Sequence, residues 1–186
     1  MSEQNPRFNI ESVDAVMVRE LQVEDIESIT DILKQWVRDP QTGEIITTEV
    51  SEIIHKMTES LTGQTDDRQY LVAEQGGKTV GVMGIAKPSE LMRQYATTEY
   101  PLEIINAFVS SESRGSGIGH KLIDEVTLFA EYVGATELIV NSGPRYKDTA
   151  WQFYDKQFGE RLAIMEDYYG PELDAPVWHK VLPSVS

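Results

Sequence analysis

One stretch governs what this chain can become. From Leu102 to Val109 the sequence is mostly apolar over the length of a strand, which reads as a buried strand. It passes through Ser110–Arg114 into Gly115-Ser116-Gly117-Ile118-Gly119-His120. A helix follows to about Val133, with Ile118, Leu122, Ile123, Val126 and Phe129 on its inner face and Gly134 where a C-cap falls. A strand that runs through a glycine-rich turn into a helix presents free backbone N–H groups at the positive end of that helix. Glycine lets an anionic oxygen come close to the backbone, and Arg114 adds a charge-assisted donor. The stretch therefore reads as an anion-binding turn inside an α/β layer fold.

Two common phosphate loops do not fit it. A P-loop requires Gly-x-x-x-x-Gly-Lys-Ser/Thr, and counting from Gly115 puts His120 at the second glycine and Leu122 at the Ser/Thr. The dinucleotide pattern Gly-x-Gly-x-x-Gly fails at His120 from Gly115 and at Leu122 from Gly117. What remains is Arg-x-x-Gly-x-Gly, at Arg114, Gly117 and Gly119.

The rest of the chain supplies a sheet and its cover. Residues 16–21 read as a first strand. A helix follows with Ile26, Ile29, Leu33, Trp36 and Val37 at helical spacing, and a second runs from about Thr48 to Leu61. Residues 70–74 and 80–86 are strands joined by the turn Gln75-Gly76-Gly77-Lys78. Residues 87–100 carry no clear pattern. Residues 138–140 form a short buried strand, and 148–158 a helix rich in aromatics. Two further strand candidates lie near 161–168 and 177–182, with Gly170-Pro171 and Ala175-Pro176 as turn chemistry between them. The chain has 186 residues and no internal repeat or linker, which suits one α/β domain with a mixed sheet over 14–186, preceded by a flexible segment, 1–13.

Composition narrows the chemistry. With 31 acidic against 16 basic residues the net charge is −15, which disfavours nucleic acid and anionic membrane surfaces and favours cationic ligands. The chain has no cysteine, so disulfides, thiolate metal sites and a cysteine nucleophile are excluded, and a reducing cytoplasm is the expected setting. His55, His120 and His179 show no metal spacing, and no metal is expected.

A second segment joins the glycine loop. Asn141-Ser142-Gly143 ends a strand, and Ala150-Trp151-Gln152-Phe153-Tyr154-Asp155-Lys156-Gln157-Phe158-Gly159 follows. Together the two segments resemble the GCN5-related N-acetyltransferase (GNAT) family over about residues 102–160. The chain departs from the family pattern at Lys147, where asparagine is frequent, and in the closing order Phe158-Gly159. The resemblance implies a single domain with a mixed, mostly antiparallel sheet flanked by helices. It also implies acetyl-CoA as cosubstrate and transfer of the acetyl group to a primary amine of a small molecule or peptide by direct attack. Pairing into a homodimer is a further expectation.

The same resemblance assigns residues. Arg114, Gly115, Gly117, Ile118 and Gly119 would hold the diphosphate. The strands at 102–109 and 138–141 would part around the pantetheine arm, and the N–H near Val109 would face the thioester oxygen. Asn141 either touches the pantetheine amides or caps the turn after it. Tyr154 is placed as general acid toward the departing thiolate, although the same residue also suits a core aromatic beside Trp151, Phe153 and Phe158. Glu103, a carboxylate on an apolar strand, is the candidate base, with a water chain as the alternative base, or else it is a strand-end group that reaches solvent beside Pro101. Pro88–Pro101, with Met92, Tyr95 and Tyr100, is expected to wall the acceptor site. Glu166-Asp167-Tyr168-Tyr169 either lines a cationic pocket or is a solvated turn, and the turn is the preferred reading. On strand parity, Ile104, Asn106 and Phe108 share one face, unless a bulge intervenes. The alternatives are a non-catalytic acyl-CoA-binding sensor and a module that binds a basic partner.

Overall fold

Side-chain alternation shows where the sheet lies. Along β2 (Arg68–Gln75), Tyr70 and Val72 pack to one side and Leu71 and Ala73 to the other, and all four are buried. A strand buried on both faces needs cover on both. The computed structural model, which describes residues 15–64 and 67–183, has that arrangement. The expected loose segment 1–13 lies outside the described residues.

Seven strands form one sheet in the order β1-β2-β3-β4-β5-β7-β6. They are β1 (Met17–Glu20), β2, β3 (Lys78–Ala86), β4 (Pro101–Val109), β5 (Glu137–Asn141), β6 (Ala163–Met165) and β7 (Ala175–Val181). Every neighbouring pair is antiparallel except β4 and β5. Helices α1 (Ile26–Trp36) and α2 (Thr47–Leu61) cover one face through Ile29, Leu33, Val50, Ile53 and Met57. Helices α4 (Ile118–Tyr132) and α5 (Gln152–Phe158) cover the other, with Ile118, Leu122, Ile123, Val126 and Tyr154 inward. The hairpin between β2 and β3 turns at Gly76 and Gly77, at φ +57° and +75°, a pair of left-handed residues that matches the twist of the flanking strands.

Four local readings of the sequence are revised. The unassigned 87–100 contains a short helix, α3 (Glu90–Arg93), capped where Ser89 Oγ accepts from the Met92 N–H at 3.2 Å. The helix expected over 148–158 opens as a single π turn, Lys147–Trp151, before α5. The strand expected at 161–168 is only Ala163–Met165. Ala175-Pro176, read as a turn, opens β7. Pro176 faces Ser142, just past the last β5 partner, Asn141↔Val177: its carbonyl accepts the Ser142 N–H, and the return bond that its missing N–H cannot make is replaced by Trp151 Nε1, which donates to the Ser142 carbonyl at 3.2 Å.

A buried carboxylate locks the loop before β4. Glu137, fully buried at the start of β5, accepts the backbone N–H of Thr97 (2.8 Å) and Thr98 (3.0 Å), both threonine hydroxyls, and His179 Nδ1. Burial pushes its pKa up, but the His179 bond and the threonine bonds outweigh burial and hold it below the ordinary 4.5. A depressed folded pKa contributes stability above the unfolded value, and that contribution is lost as pH falls through the folded one. Glu137→Ala is expected to cost about 3 kcal/mol in urea unfolding, because five donors lose their acceptor. The same variant should flatten the fall in stability that the wild type shows below about pH 4.5.

Candidate active site

The sheet is split where β4 and β5 diverge. Their parallel ladder holds only from Pro101↔Glu137 to Glu103↔Ile139. Beyond it the two strands bond to their outer neighbours and not to each other. The Ser110 N–H donates to the Val80 carbonyl at 2.8 Å, on the β3 side. Successive residues of a strand bond to opposite edges, so Val109 turns its own N–H and C=O away from β3, into the gap. On the facing wall the Ser142 N–H donates to the Pro176 carbonyl at 3.4 Å, which turns the backbone of Asn141 into the same gap. The Val109 carbonyl is taken by Trp36 Nε1 at 2.8 Å.

A bulge sets the faces of β4. Its register against β3 runs Gly84↔Ile105 and then Val82↔Phe108, so three steps in β4 match two in β3. The extra residue falls at Asn106, at φ +48°, where asparagine is among the few side chains tolerated. The Tyr70 hydroxyl donates to Asn106 Oδ1 at 3.1 Å. Strict alternation therefore fails. Ile104, Ala107 and Val109 pack with α4, while Ile105 and Phe108 pack with α1 and α2. Phe108 does not share a face with Ile104.

The glycine loop borders this gap. Gly115 and Gly117 stand at φ +77° and +82°, and a Cβ on either would meet no atom within 4 Å. Both are therefore glycine for backbone conformation, and Gly117 is the N-cap of α4. Gly119 is glycine for space, since a Cβ there would stand 3.2 Å from the Phe153 ring of α5. The Arg114 guanidinium lies 4.9 Å from the centroid of the Trp36 ring. Among the described residues it has no carboxylate partner. The Ser111 N–H donates to Gln35 Oε1 at 2.8 Å, so the end of α1 holds both the strand and the loop in place.

These elements enclose a cleft of about 520 Å³. Val109, Arg114, Gly115, Gly117, Ile118, Gly119, Asn141 and Tyr154 all line it. Tyr154 is buried against Phe153, Phe158 and Trp178, with ring centroids 5.3, 5.9 and 5.3 Å away. Desolvation pushes its phenol pKa well above the ordinary value, so the hydroxyl keeps its proton. That hydroxyl has no hydrogen-bond partner among the described residues. A buried phenol normally finds one. A neutral phenol open to a cleft can give a proton or a hydrogen bond to whatever enters.

Glu103 is the one expected site residue that does not line the cleft. It does not reach solvent beside Pro101 either. The carboxylate is buried, with Oε2 accepting from the Ser89 N–H (3.1 Å) and Oε1 from Asn141 Nδ2 (3.4 Å). Burial raises its pKa above the ordinary 4.5, and the Ser89 bond offsets only part of that. The segment 88–101, expected to wall the acceptor site, contributes no lining residue, and Met92 packs inward with Ile139 and Met165.

Other lining residues escaped sequence reasoning. Glu49 enters from α2, paired with Arg145 at 3.1 Å. Tyr146 sits edge-on to Phe108, 6.1 Å between centroids. Tyr169 comes from the run for which a solvated turn was preferred to a pocket lining, and it lines the cleft. Trp36 was visible only as a core position of α1. No short motif marks these residues, because α2, the π-turn region and the β6–β7 loop meet only in the fold.

Comparison with known proteins fits this geometry. The sequence profile of the acetyltransferase (GNAT) domain matches residues 37–158, well over half of the chain. A search of curated protein sequences finds no match. Among solved structures the fold is similar to a protein assigned to the GNAT acetyltransferases from Desulfovibrio desulfuricans, with TM-score 0.73, 17% identity, and 91% of this chain and 100% of that one covered. It is also similar to a phosphinothricin acetyltransferase from Sinorhizobium meliloti in complex with acetyl-CoA, with TM-score 0.66, 21% identity, and 90% and 88% covered. An N-acetyltransferase from Staphylococcus aureus Mu50 superposes with TM-score 0.65 at 16% identity, with 91% and 99% covered. Among the described residues no helix is long and apolar enough to cross a membrane. The chain belongs to the acetyltransferase (GNAT) family and is an acetyltransferase with acetyl-CoA as its cosubstrate.

Proposed function

We propose that this protein acetylates a primary amine of a small molecule or peptide by direct attack. The observation that carries the reading is the convergence, in one cleft, of the glycine loop, the gap-facing backbone of Val109 and the unpartnered hydroxyl of Tyr154. When bound, acetyl-CoA supplies an activated acetyl thioester. The backbone N–H groups of Gly115, Gly117, Ile118 and Gly119, with Arg114, hold the diphosphate at the start of α4. The Val109 N–H donates to the thioester oxygen as charge gathers there. The gap-facing backbone of Asn141 holds the pantetheine arm, since both ends of its side chain are already engaged. Tyr154 holds a proton for the departing sulfur.

Glu103, expected as base, lies behind Asn141, and its contacts support a role through that amide. The amine must therefore arrive neutral or lose its proton to water in the cleft. The excess of acidic residues supports an acceptor that carries positive charge in solution. The absence of cysteine supports a cytoplasmic setting.

The test is thiol release from acetyl-CoA across a panel of alkylamines, polyamines, aminoglycosides and peptide N-termini. Release with one amine class, and acetylated amine by mass spectrometry, is the expected result. Acetyl-CoA binding without release for any amine would sink the catalytic reading and leave the acyl-CoA sensor.

A further inference from the structure

Tyr169 is built into the cleft. It stands on the loop between β6 and β7, and that loop is tied to itself. The Tyr169 N–H donates to the Leu173 carbonyl (3.0 Å), the Glu172 N–H to Asp167 Oδ1 (2.6 Å) and the Asp167 N–H to Asp174 Oδ1 (3.0 Å). Asp167 and Glu172 are held at φ +54° and +61°, a conformation that non-glycine residues keep only where the surroundings impose it. The Tyr169 ring lies on Gly143, where a Cβ would stand 3.2 Å from Cε2. Gly143 has φ −67°, open to any residue, so glycine is there to make room for the ring. Its hydroxyl donates to Asn141 Oδ1 at 2.9 Å.

The direction of that hydrogen bond is set from behind. Asn141 Nδ2 faces Glu103 Oε1 at 3.4 Å and the Met92 sulfur at 3.3 Å, and both are acceptors. Glu103 is itself fixed by the Ser89 N–H. With the amide nitrogen committed to that side, the amide oxygen turns to Tyr169, and the phenol can only donate to it. The hydrogen of the hydroxyl is thus used up, and the phenolic oxygen keeps its lone pairs for a donor. An amine entering the cleft brings N–H donors.

We propose that Tyr169 binds the acceptor's reacting nitrogen, its phenolic oxygen accepting an amine N–H, and that Glu103 is a positioning residue that enforces this polarity through Asn141. The inference rests on the amine acetyltransferase reading above. It also makes an unusual demand on Glu103→Gln. With Ser89 still needing an acceptor, the new amide turns its oxygen to Ser89 and its NH2 to Asn141. Asn141 then flips and offers Nδ2 to Tyr169, whose hydrogen is pushed toward the cleft. The acceptor becomes a donor, facing an amine that also needs to donate.

The experiment measures the amine KM and kcat by thiol release, and the acetyl-CoA Kd by calorimetry, for wild type, Tyr169→Phe, Glu103→Gln and the double variant. Tyr169→Phe should raise the amine KM about tenfold, with the acetyl-CoA Kd held within about twofold. Glu103→Gln should raise it at least as much. The double variant should be no worse than Tyr169→Phe alone, because the two act through one hydroxyl. Additive losses in the double variant would show that Glu103 acts independently of Tyr169 and overturn the proposal. Wild-type turnover with an unchanged amine KM in both single variants overturns this inference alone. No thiol release by wild type with any amine overturns the acetyltransfer reading together with it.

Discussion

Gly117→Glu is expected to weaken acetyl-CoA binding at least about a hundredfold while leaving the protein folded. Two effects act together. Gly117 is at φ +82°, where an L side chain costs about 1–2 kcal/mol. A carboxylate at this N-cap also sets a negative charge against the diphosphate the loop is proposed to hold, in place of the open space that surrounds Gly117. An acidic residue at a helix N-terminus is favourable to the helix itself, so the loss falls on the ligand and not on α4. Gly117→Ala separates the effects, since it carries only the backbone cost and should weaken binding by about tenfold. Gly117→Glu should exceed that by at least a further ~tenfold by calorimetry, with the melting temperature lowered by only a few degrees. Binding by Gly117→Glu within about threefold of wild type would mean the diphosphate lies elsewhere.

Tyr154→Phe should lower activity and leave stability close to that of the wild type. Loss of a general acid is expected to lower kcat by about 10²-fold or more, with the acetyl-CoA Kd unchanged. The same substitution removes a hydroxyl that is buried among Phe153, Phe158 and Trp178 with no partner among the described residues. The hydroxyl faces the cleft, where water reaches it, so its removal should change urea unfolding by no more than about 0.5 kcal/mol. If Tyr154 were only a core aromatic, kcat would not move. A fall in both stability and kcat would show that the hydroxyl has a structural partner and would remove the acid role.

Local chemistry made much of this fold readable. The glycine loop announced itself because backbone conformation at Gly115 and Gly117 and close packing at Gly119 each admit one residue type. The Gly76-Gly77 hairpin and the apolar face of α4 follow the same logic of short-range constraint. What the chain hid was long-range. The bulge at Asn106 depends on how β4 pairs with β3, and one extra residue moved Phe108 to the opposite face from Ile104. Pro176 looks like a turn residue until β5 is seen to end one position before it. Glu103 was recognisable as an odd carboxylate on an apolar strand. Its neighbours Ser89 and Asn141 come from other elements, and only they show that it lies behind the cleft.

The end of the cleft proposed for the acceptor was the least legible part. Glu49, Tyr146 and Tyr169 come from three separate regions with no shared motif, and the turn at 166–169 looks like any acidic, solvated connection. The ring of Tyr169 meets Gly143 only because β5 and the β6–β7 loop are brought together by β7.

The most direct test of the central claim is a crystal structure of the wild-type protein grown with coenzyme A. The diphosphate is predicted within hydrogen-bond distance of the backbone N–H groups of Gly117 and Gly119, with the thiol end in the gap between Val109 and Asn141 and beside Tyr154. A diphosphate bound away from the Arg114–Gly119 loop, or a pantetheine arm outside the β4–β5 gap, would contradict it.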